Sequence, residues 1–466
     1  MQEKKASKPR VPHTYVILIG LMILISILSY IVPASNYDMM EINGREVVDA
    51  STFHYVDSTP VSPLQMLTSV PRGLVESAEI VFFIFILGGS FHIINSTGAL
   101  EAGIAALSKR LKNAPHLMIP VFVFLFSILG GTIGMSEETI IFVPIGIALA
   151  RSLGFDAMVG TSIVFLGAAV GFNSGFMNPF TVGVAQSIAE LPTFSGIGLR
   201  LVVWAVFNVA TMAYIIRYAN RVRKNPESSI VRKLELREQD LGGQVDTDLV
   251  LTTTHKIVLL AFIAALAFII YGVFEKGFYI IEIAALFLGL GILSGLIARI
   301  NPSDMAKTFI QGASEIASGA LVVGIARSIL VVLNDGQILY TIVNGVSQGI
   351  AFLPQSIASV GMFIFQLCLN FFIPSGSGQA AATMPIMVPL ADILGITRQT
   401  AVLAFHLGDG ISNSIIPTGG SLLAALSVAK IDYEDWVKFA WPIVGIWVII
   451  GAVFAAVATL IGYGPM

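Results

Sequence analysis

Thiols, charged side chains and hydrolase signatures are all scarce in this chain. Cys368 is the single cysteine among 466 residues, which removes a disulfide framework and a thiolate metal site. Charged residues make up 12% of the sequence, against about 25% in a soluble domain, so water is not the main solvent. Net charge is −3, and the basic residues fall in short clusters rather than one stripe; nucleic acid is excluded as a partner. No His-Glu-x-x-His zinc motif occurs. An intramembrane aspartyl protease is the remaining enzyme alternative, because Gly408-Asp409 echoes its Gly-Asp motif. Its Tyr-Asp partner is missing, since the sole such pair, Tyr37-Asp38, stands in a polar loop.

Apolar sequence is what the chain has in quantity, at 55%. Segments long enough to cross or enter a bilayer lie near 15–32, 79–95, 116–152, 157–190, 198–218, 256–274, 277–299, 317–333, 356–394, 397–429 and 439–463. The first follows Lys4, Lys5, Lys8 and Arg10 and is long for a signal peptide, so it reads as a retained span. Residues 219–254 carry Arg221, Arg223, Lys224, Arg232, Lys233 and Arg237 without an apolar run, which predicts a cytosolic linker. Residues 35–62 hold five acids against Arg45 and suit the external face.

An offset of about 240 residues aligns one half on the other. Pro63, Met66, Gly73 and Glu76 fall on Pro302, Met305, Gly312 and Glu315; Pro144 falls on Pro385, and Asn173-Ser174 on Asn413-Ser414. Two crossings, 256–274 and 277–299, precede Pro302, so the second copy is inverted. Basic residues then collect on one side, giving a cytosolic N-terminus and linker and an external C-terminus. The expected fold is an all-α polytopic protein of the inner membrane with two inverted repeats, 1–218 and 255–466, joined by linker 219–254. Each repeat carries a re-entrant hairpin (116–152, 356–394) and a broken helix (157–190, 397–429), an architecture of secondary transporters.

Polar breaks interrupt these apolar segments at 134–139, 173–178, 374–379 and 412–420. Unpaired backbone in hydrocarbon is costly, so such breaks survive where protein or a water-filled cavity receives them, and they should converge. The candidate site residues are Ser136, Glu137, Glu138, Thr139, Asn173, Ser174, Asn178, Ser375, Ser377, Gln379, Asp409, Asn413, Ser414 and Thr418. Their oxygens suit a small polar or charged solute, and Ser136, Asn173, Ser377 and Asn413 are candidate sodium ligands. Intramembrane carboxylates are functional candidates because burying them is costly. His406 is a weaker candidate, and Arg327 reads as neutralising a carboxylate or lining the scaffold rather than binding solute. No Lys or Arg occurs within 114–150, 152–199, 350–397 or 399–429. Such segments favour a cationic solute, or an anion accompanied by sodium. No cofactor is expected beyond sodium or a proton as coupling ion.

Asn370-Phe371-Phe372-Ile373-Pro374-Ser375-Gly376-Ser377-Gly378-Gln379, Arg398-Gln399-Thr400-Ala401-Val402, and Gly408-Asp409-Gly410 leading to Ile416-Pro417-Thr418 carry a resemblance. Over nearly its whole length the chain resembles the YfcC-like branch of the C4-dicarboxylate anaerobic carrier family, within the ion transporter superfamily. The resemblance implies a scaffold domain, a mobile transport domain with opposed hairpins, a homodimer and elevator motion. It places Ser136 to Thr139 at the inner hairpin tip and Ser375 to Gln379 at the outer one. Dicarboxylate–sodium symporters of the superfamily carry Ser-Asn-Thr at these tips, whereas this chain has Ser-Glu-Glu-Thr and Ser-Gly-Ser-Gly. The branch is also similar to arginine–ornithine antiporters, which the acidic tip suits better. Antiport of basic amino acids is therefore the expectation, with C4-dicarboxylate transport coupled to sodium or protons as the alternative.

Overall fold

The computed structural model describes residues 14–464 apart from 43–44, 101, 104–105, 107–108, 110–116, 179–180, 193, 241–249, 277 and 279. The N-terminal basic cluster, Arg110, Lys112 and Met466 lie outside the described residues, so their expected sidedness does too.

Helix α1 (Thr14–Leu28) leads into two short antiparallel ribbons, β1 (Ser35–Asn36) with β4 (His54–Tyr55) and β2 (Met39–Ile42) with β3 (Arg45–Val48). Helices α2 (Pro63–Glu76) and α3 (Ala78–Ser96) follow, then hairpin α4–α5 (Met118–Ile133, Thr139–Ser152), the broken pair α6–α7 (Ala157–Ser174, Val182–Ile188) and α8 (Ile197–Lys224). Helix α9 (Arg232–Asp240) lies in the connection between the halves. Next come α10 (Thr253–Lys276), α11 (Ile280–Ile297), α12 (Pro302–Glu315), α13 (Ala317–Asp335) and α14 (Leu339–Ile350). Hairpin α15–α16 (Gln355–Leu369, Gly376–Leu394), the pair α17–α18 (Arg398–Ser412, Gly420–Ala429) and α19 (Tyr433–Leu460) complete the chain.

Local chemistry explains these boundaries. Ser62 and Asn301 cap α2 and α12, each followed by Pro at the first helical position, where its missing N–H costs nothing. Asp156, Thr397 and Ser375 cap α6, α17 and α16 through their side chains. Glycine ends α4 and α6: Gly134 (φ 65°) and Gly175 (φ 51°) adopt the left-handed conformation that turns each chain out of its helix.

Among the described residues, α3, α6, α8, α11 and α19 are each long and apolar enough to cross a membrane, and α12 with α13 is so when taken together across a bend of 44°, as a broken span or a re-entrant loop is. Helix α6 is buried over 89% of its apolar window, so protein surrounds it. Helices α10 and α19 instead show Leu260, Ile263, Ile449 and Val453 on the outside, as lipid-facing helices do. The expected linker boundary at 219 falls inside α8, which continues to Lys224 on side chains such as Tyr218 and Val222 that stay buried. Helices α2, α12 and α14 were absent from the apolar segments because α2 and α12 are amphipathic and α14 is short.

Helices pack through small residues, as membrane helices do. A Cβ on Gly171 would strike the Ser127 carbonyl, and one on Gly130 the Ala168 carbonyl, so α4 and α6 meet backbone to backbone. The two halves also exchange partners: α2 packs on α13, and α12 packs on α3. Gly73 meets Gly324 in the first contact, and Gly312 meets Gly88 in the second.

Candidate functional site

The α4–α5 turn spans 134–138, the α6–α7 break 175–181, the α15–α16 turn 370–375 and the α17–α18 break 413–419. Asn173 and Ser174 are thus the last helical residues of α6, while Ser377 and Gln379 stand in the first turn of α16. A small cavity of about 20 Å³ is lined by Ser136 of the first turn, Thr139 at the start of α5, Asn173 at the end of α6, and Asn413 and Ser414 of the second break. That volume holds about one water or ion, not an amino acid. Three of the candidate sodium ligands, Ser136, Asn173 and Asn413, therefore share one cavity; Ser377 is exposed and stands apart from it.

Each turn is braced. Glu138 Oε2 accepts the Ser136 amide at 3.0 Å, and Thr139 Oγ1 donates to Ser136 O at 2.5 Å. Both Glu137 and Glu138 are half-buried. Gln379 reaches back across the second hairpin, its Nε2 donating to Gln366 Oε1 at 2.7 Å. Ser375 Oγ caps the Gly378 amide at 3.3 Å. Thr418 Oγ1 donates to Phe371 O at 2.7 Å, tying the second break to the second turn. Ser174 Oγ donates within its own helix to Gly171 O, and Asn178 Oδ1 accepts the Thr181 amide at 3.3 Å. The carbonyls of Ser414 and Ile415, freed where α17 stops, accept from Trp436 Nε1 and the Tyr433 hydroxyl of α19.

Asp409 lies one turn before that break and is fully buried. Neither carboxylate oxygen accepts a well-formed hydrogen bond; Asn413 is the polar side chain that bears on it. Among the described residues no cationic nitrogen lies within 4.0 Å. A Cβ on Gly376 would stand 3.1 Å from Asp409 Oδ2, so the start of α16 abuts the carboxylate and its N-terminal dipole favours the negative charge. On the next residue, a Cβ on Gly410 would come within 2.9 Å of Asn173 Oδ1, whose side chain is itself buried without a partner. His406, on the same face of α17 one turn earlier, packs against Gly175 and the Phe172 ring, with no hydrogen-bonded ring nitrogen meeting normal geometry. The start of α16 and Asn413 of the second break thus abut this buried carboxylate, and Asn173 at the end of α6 abuts the next residue.

The family model for the C4-dicarboxylate anaerobic carrier matches residues 11–460. The chain belongs to that family. It is an integral membrane transporter, as its apolar helices and its family require. YfcC of Escherichia coli K12, whose name makes it, provisionally, a basic amino acid antiporter, is 34% identical over 99% of both chains. An uncharacterized protein of Haemophilus influenzae is 31% identical over 84% of this chain and 77% of its own. The Alcanivorax borkumensis YdaH transporter is similar to this chain at 14% identity and a TM-score of 0.45, covering 97% of this chain and 100% of its own.

Two residues of this carrier escaped sequence reasoning. Asn370 ends α15, and its Nδ2 lies 2.9 Å from Asp409 O, 2.8 Å from Ser412 Oγ and 2.7 Å from Asn413 Oδ1. A polar residue closing an apolar run was the available signal. Arg200, immediately outside the segment free of basic residues, is fully buried and donates to Ser195 O and Gln399 Oε1 at 2.9 and 2.7 Å. Gln399 and Asp409 stand ten residues apart on α17, about 15 Å at 1.5 Å per residue, so Arg200 does not neutralise Asp409. Arg327 does meet a carboxylate, Glu76 at 3.1 Å, as its charge in an apolar segment foretold.

Proposed function

We propose that the chain is a secondary active antiporter of small charged metabolites, with basic amino acids such as arginine and ornithine as its substrates. The observation that carries this reading is Asp409, a buried carboxylate with no cationic nitrogen within 4.0 Å among the described residues. An ionised carboxylate in that setting needs a compensating cation, and an ammonium or guanidinium group supplies one together with donors for its empty oxygens. The name of the YfcC relative supports the same class.

In this reading Asn173, Asn178, Ser174, Ser414 and Thr418 shape the two breaks around the solute, and Ser136 to Thr139 and Ser375 to Gln379 form the two gates. The halves act as inverted repeats, the hairpins and broken helices move as one body in an elevator motion, and the protein is a homodimer in the inner membrane. Its N-terminus and α9 face the cytosol, and its C-terminus lies outside.

A second reading, a C4-dicarboxylate carrier coupled to sodium or protons, is favoured by the small cavity whose oxygens come from Ser136, Asn173 and Asn413. Calorimetry on purified protein separates the two. Heat from arginine or ornithine without sodium supports antiport of basic amino acids; sodium-dependent heat from succinate, with none from arginine or ornithine, refutes it.

A further inference from the structure

A cavity of about 450 Å³, ample for an amino acid, runs beside α5 from Ile140, next to the hairpin tip, past Ala148 to Arg151 at its base. The facing wall belongs to α3 and α12 and includes Glu315, while Glu238 of α9 and Lys430 close the end. Because Thr139 lines the small cavity and Ile140 this larger one, the first turn of α5 separates the two spaces.

Glu315 ends α12 at the bend that leads into α13, at the break of a helix pair that together is apolar enough to cross a membrane. Such a group calls for a cation or for water. Its counterpart at the end of α2, Glu76, has Arg327 at 3.1 Å. At the same sequence offset Arg327 falls on Gly88, which lines this cavity and brings no charge. Glu315 accepts instead from the neutral Gln311 Nε2 at 3.2 Å, and among the described residues no cationic nitrogen lies within 4.0 Å of it. The cations at the cavity's end are already engaged: Arg151 by Glu235 and Glu238, and Lys430 by Glu238 at 3.5 Å. The carboxylate of the first half is thus neutralised by an arginine of the second, whereas Glu315 has no such partner among the described residues and faces open space.

We propose that Glu315 is a second cation-binding point, which takes the ammonium or guanidinium group of the solute within this cavity as it passes between Asp409 and the α9 side. The proposal rests on the basic amino acid reading above. Full-length protein in proteoliposomes tests it through counterflow of radiolabelled arginine and ornithine. Glu315→Gln should raise KM about tenfold, the value of one hydrogen bond to a charged group, and Glu315→Asp should recover part of the loss. In a Cys368→Ser background, Ala148→Cys should react with a methanethiosulfonate reagent, and saturating arginine should slow that reaction several-fold when Glu315 is present but not in Glu315→Gln. If arginine is exchanged while Glu315→Gln leaves KM unchanged, or if arginine fails to protect Ala148→Cys in the protein that retains Glu315, Glu315 has no such role and the Asp409 site stands. If the wild-type protein exchanges neither arginine nor ornithine, both readings fall together.

Discussion

Replacing Glu235 by Gln tests whether α9 clasps the first hairpin and the first broken pair or merely tethers two halves. Glu235 accepts from Arg151 Nε at 3.0 Å and Nη2 at 3.1 Å, and its Oε1 also accepts the Ala157 amide at 2.9 Å. One carboxylate thereby joins α9 to the base of hairpin α4–α5 and to the start of α6. Alongside it, Asp156 Oδ2 accepts from Ser229 at 2.6 Å and Tyr218 at 2.7 Å. Gln keeps the volume and can keep the amide contact, so the loss is confined to the charged pair. Breaking a buried pair costs about 3–5 kcal/mol and an exposed one under about 1. The side chains of Arg151 and Glu235 are 20% and 12% exposed, and Arg151 retains Glu238 at 3.7 Å; a cost of about 2 kcal/mol follows for this intermediate case. Two kcal/mol corresponds to about 30-fold in a local opening equilibrium. Hydrogen exchange in peptides covering 153–162 and 230–240 should accelerate by about that factor, with α19 unchanged. Equal exchange in both proteins, or strict additivity of Arg151→Gln and Glu235→Gln, would falsify the clasp.

Asp409→Asn should leave the protein folded but weaken arginine binding by about 10- to 100-fold, the value of a charge-assisted contact; calorimetry with unchanged affinity would count against the site. Asn370→Ala should free the end of α17 and cost about 1–3 kcal/mol, seen as earlier thermal unfolding in detergent and slower counterflow. Gly175→Ala should cost about 1–2 kcal/mol for its left-handed backbone alone, and more because the added methyl meets the His406 ring; combining it with His406→Ala should restore part of the thermal stability, and no recovery would show that the overlap is relieved elsewhere. A cysteine at Gly464 should be labelled from outside intact cells, whereas one at Ser228 should need permeabilised cells; the opposite pattern would invert the proposed topology.

The helix breaks were legible because membranes punish the features that build them. Gly, Ser and Asn within apolar runs marked the helix ends at Gly134, Gly175 and Asn413, and an acid inside an apolar run singled out Asp409. Partnerships were less legible. Gln379 looked like a solute ligand, yet its amide braces Gln366, a contact set by the crossing of two hairpin arms that neither sequence segment encodes alone. Ser377 shares its turn with Gln379 but faces outward, because helical geometry separates neighbours by about 100°. Arg200 was passed over because windows of sequence have edges, whereas burial depends on which helix covers the side chain. Amphipathic α2 and α12 betrayed themselves through matched Pro, Met, Gly and Glu rather than through hydropathy.

The exchange of partners between the halves bears on how the protein is made. When α2 leaves the ribosome, the helix it packs against, α13, is more than two hundred residues from being synthesised. Until then Gly73 has no surface to meet, and an amphipathic 14-residue helix must wait at the membrane. The reciprocal contact of α12 with α3 waits nearly as long, since α12 directly precedes α13 in the second half. Assembly is therefore late and concerted. A cell making only residues 1–240 should degrade them, while the same fragment made together with 250–466 should persist as a complex.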